Sequence, residues 1–185
     1  MNTVKRLFYQ TARNDIQSGD AILWSGSGAV AKLIKLWAPA GHGFSHASLV
    51  VRMDDYIKDH SVFLIEAIAK GVVPRLLSEK IRDFDGKVYW LRTTMTDEQR
   101  CWSRELALMC SAKGVKYDFW LKGLFGNALG KVNVDLKKLF CSEWVQVNWM
   151  DCGYLPRDTK AYRPWDLVKY GELVEIVPFV ENQAQ

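Results

Sequence analysis

The stretch Leu139-Phe140-Cys141-Ser142-Glu143-Trp144-Val145 is the part of the sequence around which the fold of the whole chain can be predicted. An apolar lead-in ends at Cys141, and apolar residues then recur at helical spacing as far as Cys152, just before Gly153. This pattern predicts a helix with Cys141 in its first turn. A thiol in that position lies at the positive end of the helix dipole, which favours the reactive thiolate. The alternative is a buried structural cysteine, because free cysteines are among the most buried residues.

Two strand patterns upstream carry the other candidate site residues. Apolar residues dominate 45–51, which contains His46, and 62–68, which contains Glu66. If the two strands pair as an antiparallel hairpin with an index sum of 112, His46 lies directly across from Glu66, and Ser48 pairs with Leu64. Any even sum keeps His46 and Glu66 on the same face of the sheet. His46 could instead be a satisfied core histidine, and Glu66 could face solvent on an edge strand.

The remaining patterns predict an α+β fold with a mainly antiparallel sheet. Further strands are expected near 21–24, 88–92 and 173–177, and helices at 29–37 and 96–112. The second helix should start with a capping box at Thr96 and turn Trp102, Leu106, Met109 and Cys110 inward. Residues 1–18 form a polar, partly helical lead-in, Asp20 belongs to a turn, and Gly71-Val72-Val73-Pro74 ends the second strand.

Composition places the chain among ordinary globular proteins. It has 185 residues, 49% of them apolar and 25% charged, with a net charge of +4 that is spread along the chain. We therefore predict one domain over residues 1–185 and no nucleic-acid partner. No signal peptide or membrane-spanning stretch is visible, so we expect a cytoplasmic protein with reduced thiols. Cys101, Cys110 and Cys152 are interpreted as packing residues.

The sequence gives no indication of a metal site or a cofactor. His42 and His46 are four residues apart, but Gly43 and the strand pattern argue against a helical pair of ligands. His60 is expected in a surface loop. The four cysteines do not show the paired spacing of a zinc site.

The order of several short stretches resembles the circularly permuted NlpC-type hydrolases, which have papain-like folds, and in particular the YiiX-like branch. These stretches are Gly19-Asp20, Phe44-Ser45-His46, Ile65-Glu66-Ala67 with Gly71-Val72, Gly114-Val115-Lys116-Tyr117-Asp118, and Phe140-Cys141-Ser142-Glu143-Trp144-Val145. In the permuted branch the cysteine helix follows the histidine strand, as it does in this chain. The resemblance extends over about residues 19 to 150. It implies a permuted papain-like fold and a triad of Cys141, His46 and Glu66.

The chemistry of these three residue types agrees with that implication. A cysteine nucleophile needs a base within hydrogen-bond reach, and the base needs a partner that orients its ring. The backbone N–H of Cys141 could stabilise the negative charge that develops on an attacked carbonyl. The resemblance adds Tyr117 as a second donor, although a half-buried core tyrosine is an equal alternative. Ser45 and Ser142 are further candidates for binding the substrate or the oxyanion.

Three classes of function follow from this sequence. The first is a cysteine peptidase or amidase that cleaves a small peptide, a peptidoglycan-type peptide or an isopeptide bond through an acyl-enzyme. The second is a thioesterase or acyltransferase for acyl-lipids with peripheral membrane contact, favoured by eight tryptophans, by Lys32 and Lys35, and by the segment 121–138. The third is a binding module without turnover. The ordered cysteine, histidine and glutamate argue against the third class, and we expect amide hydrolysis.

Overall fold

The computed structural model describes residues 4–28, 43–54, 60–68, 71–113, 140–158 and 160–178. The helix predicted at 29–37, His42, Tyr117 and the segment 121–138 therefore lie outside the described residues. Among the described residues, no helix has the length and apolar character that crossing a membrane requires.

Strands and helices alternate irregularly along the chain. In chain order the elements are β1 (Lys5–Phe8), α1 (Tyr9–Ala12), β2 (Ala21–Gly26), β3 (His46–Arg52), β4 (Val62–Ile68), β5 (Gly71–Leu76), α2 (Leu77–Asp83), β6 (Gly86–Arg92), α3 (Asp97–Ala112), α4 (Phe140–Asp151), a 3₁₀ helix (Pro164–Tyr170) and β7 (Glu172–Val177).

The strands of the described part form one seven-stranded sheet in the order β1-β7-β6-β2-β3-β4-β5. Neighbouring strands are antiparallel, with the exception of the parallel pair β1 and β7. The expected α+β fold with a mainly antiparallel sheet is confirmed. The strands predicted near 21–24, 45–51, 62–68, 88–92 and 173–177 and the helix at 96–112 are confirmed as well, with small shifts at their ends.

Alternation along the strands separates the core into two apolar layers. On β3, Ala47, Leu49 and Val51 belong to the layer that α3 and α4 cover, whereas Val50 belongs to the layer beneath α2. Residues 142–150 of α4 are all buried, and this helix packs on β3, β4 and α3. A helix that is buried all round belongs to the centre of the core. Cys141 is therefore carried on the most enclosed helix of the described structure.

Asp20 does more than form a turn. The turn itself needs Gly19, which has φ +85° and leaves no room for a Cβ beside the sulfur of Met95. The buried Asp20 carboxylate accepts hydrogen bonds from the side chains and backbone groups of several elements. The donors are Gln17 N at 3.0 Å, Trp90 Nε1 at 2.8 Å, Thr93 N at 3.0 Å, Thr93 Oγ1 at 2.9 Å and Arg100 Nη1 at 3.0 Å.

The structure contains two strands that the sequence did not predict. The second predicted strand ends at Ile68, before the stretch 71–74 as expected, but this stretch begins β5, which pairs with β4 and places Pro74 opposite Ile65. A proline is tolerated there because β5 is an edge strand of the sheet. The polar lead-in contains the short strand β1, which adds to the opposite edge through β7.

The inward face of α3 differs in part from the prediction. The Thr96 capping box is present, Cys110 is buried and Leu106 packs against the core, as expected. Trp102 is 63% exposed and Met109 is 45% exposed, however, and Ser103 and Ala107 are buried in their place. Ser103 exchanges two hydrogen bonds with the buried Asn148 of α4, at 2.5 and 2.9 Å. A buried amide needs such partners. We therefore attribute the difference between the predicted and the observed buried face of α3, which is a rotation of the helix about its axis, to this pair.

Candidate active site

Cys141 is the second residue of α4, so the prediction that places it in the first helical turn is confirmed. The first four N–H groups of a helix have no acceptor within the helix and can bind other groups. The Cys141 sulfur accepts hydrogen bonds from the backbone N–H groups of Ser142, in the same turn, and Ala47, on β3. The sulfur thus lies where the N-terminal end of α4 meets the beginning of β3.

The register of β3 against β4 is shifted by two residues from the expected one. Leu49 pairs with Ile65 and Val51 with Phe63, so the index sum is 114 and not 112. Continued along β3, this register places Ser48 beside Glu66, and the Ser48 hydroxyl donates to Glu66 Oε1 at 2.5 Å. Because 114 is also an even sum, His46 and Glu66 still lie on the same face of the sheet. They are diagonal neighbours and not directly opposite, but their side chains are long enough to meet.

The structure brings Cys141, His46 and Glu66 together. His46 Nε2 lies 2.7 Å from Glu66 Oε1, and the His46 imidazole is also a hydrogen-bond partner of the Cys141 thiol. Because Glu66 occupies Nε2, Nδ1 is the ring nitrogen that remains for the sulfur. The imidazole thus connects a thiol to a carboxylate, which is the contact pattern of a cysteine–histidine–acid triad.

The position of His46 at the end of a strand explains how it contacts both groups. By alternation, His46 shares the sheet face of Ser48 and Glu66, whereas α4 packs on the opposite face. His46 is the first residue of β3 and Cys141 lies in the first turn of α4. The histidine lies at the N-terminal end of β3 and the cysteine at the N-terminal end of α4, so the imidazole contacts the sulfur at the end of the strand and not through the sheet.

Burial and charge act in opposite directions on the pKa of each of these groups. Burial disfavours the cationic form of His46, but the charge of the Cys141 thiolate and the hydrogen bonds that the ring donates to Cys141 and Glu66 outweigh burial and raise the pKa of His46 to about 9. Burial likewise raises the pKa of Cys141, and the His46 charge together with hydrogen bonds lowers it to a net value below that of an ordinary thiol. The site therefore favours a thiolate–imidazolium pair.

Glu66 is held as an anion within the sheet. It is 1% exposed, and burial alone would raise its pKa. The hydrogen bond from His46 and the positive charge of Lys80 lower that pKa to about 2. The alternative of a Glu66 that faces solvent is therefore wrong.

Sequence reasoning did not identify three partners of this site: Lys80, Ser48 and the N–H of Ala47. Lys80, on α2, contacts Glu66 Oε1, and Arg75 Nε lies 3.7 Å from Glu66 Oε2. The sequence contained one usable signal. A buried carboxylate requires a cation or several donors, and Lys80 lies on the helix that follows the next strand.

The additional candidates for substrate binding have different surroundings. Ser142 is fully buried, and its hydroxyl donates to the backbone oxygen of Tyr162 at 2.7 Å. Ser45 donates to the backbone oxygen of Trp24 at 3.1 Å and accepts from the N–H of Gly26 at 3.3 Å. Both hydroxyls therefore tie backbone segments together. Tyr117 lies outside the described residues.

The other three cysteines have environments unlike that of Cys141. Burial raises the pKa of Cys110 to about 11 and also raises that of Cys152. Cys101 is exposed on α3, so its interpretation as a packing residue is wrong. Exposure makes Cys101 the main competitor in any thiol-labelling experiment, whereas Cys110 and Cys152 should react slowly.

Within the described part of the chain, no group of three or more histidine, cysteine, aspartate or glutamate side chains could hold a metal ion. His46 Nε2 and Glu66 Oε1 contact each other, and the ammonium group of Lys80 contacts the same carboxylate oxygen. His60 is exposed, as expected for a loop residue.

Comparison with solved structures finds a fold similar to that of YiiX, a DUF1105 metalloprotein from Escherichia coli O157:H7, with a TM-score of 0.52. The two chains are 19% identical, and the match covers 85% of this chain and 87% of YiiX. No protein-family model and no curated protein matches the sequence. At this identity the similarity shows a YiiX-like fold and leaves the activity to be argued from the site.

Proposed function

We propose that this chain is a cysteine-nucleophile hydrolase of the peptidase or amidase type, which cleaves a small peptide or an isopeptide bond through an acyl-enzyme. One observation carries the proposal: the thiol of Cys141, in the first turn of α4, contacts the His46 imidazole, whose Nε2 is held 2.7 Å from Glu66. A bridge from thiol through imidazole to carboxylate is the arrangement that activates a cysteine for attack.

In the proposed reaction the Cys141 thiolate attacks the carbonyl carbon of the substrate, and a sulfur–carbon bond forms. The backbone N–H of Cys141 stabilises the oxyanion. The carbon–nitrogen bond then breaks as the His46 imidazolium transfers its proton to the leaving amine. A water molecule attacks the thioester carbon and gives one proton to His46. The carbon–sulfur bond then breaks, which restores the Cys141 thiolate, and the product acid releases its remaining proton to solvent to become the carboxylate. Glu66 keeps the ring oriented throughout.

We also propose that the fold is a circularly permuted papain-like one of the NlpC type. The support is the order in which the histidine strand precedes the cysteine helix, together with the YiiX-like architecture. The word metalloprotein describes YiiX and is not carried over to this chain, because the described residues contain no group of three or more histidine, cysteine, aspartate or glutamate side chains that could hold a metal ion. The predicted cytoplasmic location stays a prediction.

Amide cleavage remains the first proposal for the substrate class. Lys32, Lys35 and the segment 121–138, which favour an acyl-lipid substrate, lie outside the described residues. Of the six described tryptophans, five are buried in the core, which agrees with packing as their role. The lipid alternative is therefore left to experiment. A substrate panel should pair peptide amides, isopeptides and peptidoglycan-type stem peptides with acyl-thioesters of matched acyl groups. All measurements should use a Cys101→Ser background, which removes the exposed thiol.

Intact-protein mass spectrometry after rapid quenching tests the proposal. We expect an acyl adduct on Cys141 with an amide substrate, release of the amine, and loss of both in Cys141→Ala. Amine release should decline above about pH 9, where His46 loses the proton that the leaving group needs. Adducts with thioesters alone would support the lipid class. No adduct from any substrate, with Cys141 still reactive toward iodoacetamide, would contradict the hydrolase proposal in favour of a binding module.

A further inference from the structure

Lys80 lies beside the candidate triad, although it belongs to a helix on the far side of the sheet from α4. Its ammonium nitrogen contacts Glu66 Oε1 and lies 4.1 Å from the centroid of the Trp24 ring. The side chain is 19% exposed, so burial has removed most of its hydration. An ammonium group in this setting interacts strongly with both the carboxylate and the aromatic face.

The Glu66 carboxylate is fixed from several directions. Trp24 Nε1 donates to Ser48 Oγ at 2.8 Å, and Ser48 Oγ donates to Glu66 Oε1 at 2.5 Å. His46 Nε2 and Lys80 Nζ contact the same oxygen. Three donors thus converge on Oε1. Because Lys80 also lies over the ring of Trp24, the lysine and the Trp24–Ser48 pair hold the carboxylate together.

We propose that Lys80 is a positioning residue of the Cys141–His46–Glu66 site: its ammonium group fixes the Glu66 carboxylate against His46 and limits how tightly that carboxylate holds the imidazolium proton. This inference rests on the proposed function, because the proton in question is the one that the leaving group receives. Lys80 acts through Glu66 and does not touch the reacting atoms.

The arrangement of charges explains this role. Thiolate, imidazolium, carboxylate and ammonium alternate in sign from Cys141 through His46 and Glu66 to Lys80, and the four charges sum to zero. Without Lys80 the cluster would carry a net negative charge, which would hold the His46 proton more strongly. In agreement with this, the charge of Lys80 lowers the pKa of both His46 and Glu66.

Arg75, on β5, is the other described cation close to Glu66, but it is a weaker candidate for the same role. Its side chain is 57% exposed and its Nε lies 3.7 Å from Glu66 Oε2. Solvent screens an exposed ion pair of this kind. The titratable and charged groups of the described structure that face His46 are thus Cys141 from α4, Glu66 from β4 and Lys80 from α2, with Arg75 at the margin.

Nuclear magnetic resonance titration of the histidine ring protons tests this inference without any substrate. The chain has three histidines, and the His46 signal is the one that disappears in His46→Ala. In Lys80→Met we expect the His46 midpoint to rise by on the order of one pH unit, and in Glu66→Gln we expect it to fall. Lys80→Arg should restore a midpoint close to that of the wild type, and Lys113→Met, which removes an exposed cation, should leave it unchanged.

Opposite shifts in Lys80→Met and Glu66→Gln are the signature of charge acting through Glu66. A lysine that only supports the fold would give no shift, or a fall like that of Glu66→Gln because the carboxylate loosens. Either result in folded Lys80→Met would overturn the inference. If Lys80→Met does not fold, the same titration is carried out with Lys80→Gln. If no substrate of the panel is cleaved, the hydrolase proposal is wrong, but the titration still tests how Lys80 acts on His46. If the enzyme is active and the His46 midpoint does not change in Lys80→Met, only the role of Lys80 is wrong.

Discussion

Asp20 and Glu66 are both buried carboxylates in the sheet, and each contacts a cation, but their partners differ in kind. Asp20 accepts hydrogen bonds from the indole of Trp90, from the hydroxyl and backbone N–H of Thr93 and from the guanidinium group of Arg100. Glu66 accepts from Ser48 and Lys80 and also from His46, which contacts the Cys141 thiol.

The difference shows that burial of a carboxylate does not by itself mark a functional group. Asp20 joins the start of β2 to the end of β6 and to α3 through hydrogen bonds from Trp90, Thr93 and Arg100. Glu66 has a titratable partner whose proton is shared with a nucleophile. The identity of the partners, more than depth or charge, separates a structural carboxylate from a candidate catalytic one. The following predictions test that distinction.

Replacement of Asp20 should have the largest effect, and it should act on stability. Asp20→Asn takes the carboxylate away from Arg100 and leaves donors without acceptors, so we expect the free energy of unfolding in urea to fall by about 3 kcal/mol or more. The folded fraction should keep its Cys141 labelling rate within about twofold of the wild type. Asp83→Asn, at an exposed position, is the matched control and should change neither quantity. If folded Asp20→Asn lost Cys141 reactivity, the distinction between a structural Asp20 and a catalytic Glu66 would be wrong.

His46→Ala should have the next largest effect, and it should act on reactivity. Without the imidazolium the pKa of Cys141 returns toward that of an ordinary thiol, so iodoacetamide labelling near pH 6 should slow by roughly 10–100-fold. Peptide mass spectrometry in the Cys101→Ser background measures the rate. His60→Asn is the control, because His60 is exposed and asparagine accepts its φ of +54°. Equal rates in His46→Ala and the wild type would keep a reactive cysteine and reject its base.

Glu66→Gln should have a smaller effect on the same rate. The imidazole remains but loses its anionic partner, so the pKa of His46 falls from about 9 toward its ordinary value. Labelling near pH 6 should slow by roughly 3–10-fold, and the alkaline limit of hydrolysis should move to lower pH, because the imidazolium then loses its proton earlier. Glu79→Gln, on the exposed side of α2, should leave both profiles as they are. An unchanged alkaline limit would show that Glu66 resembles Asp20.

The smallest effect is expected for Ser142→Ala. Its hydroxyl is committed to the Tyr162 carbonyl, so the labelling rate of Cys141 should stay within about twofold. The free energy of unfolding should fall by about 1 kcal/mol, because a buried carbonyl loses its donor. A tenfold or larger loss of Cys141 reactivity in a stable Ser142→Ala protein would show that the Ser142 hydroxyl contributes to the site and not only to the packing of the chain.

The three site residues are far apart in the sequence, yet local sequence patterns predicted much of how each of them is placed. Helical spacing and Gly153 defined α4 and placed Cys141 in its first turn. Strand alternation allowed His46 and Glu66 to share one face, because any even register puts them there, but an odd register would have separated them, and only the structure shows that the register is even. These features depend on the period of a helix or a strand, which is a property of neighbouring residues.

Only the tertiary structure decided the exact register, the rotation of α3 and the identity of the partners. The index sum of 114 lets Ser48 reach Glu66, and the buried Asn148 brings Ser103 inward in place of Trp102. Lys80 reaches Glu66 from a helix that no local pattern connects with β4. The physical reason is that periodicity is set by residues a few positions apart, whereas a buried polar group takes whichever donor the packing of distant elements brings within hydrogen-bond distance.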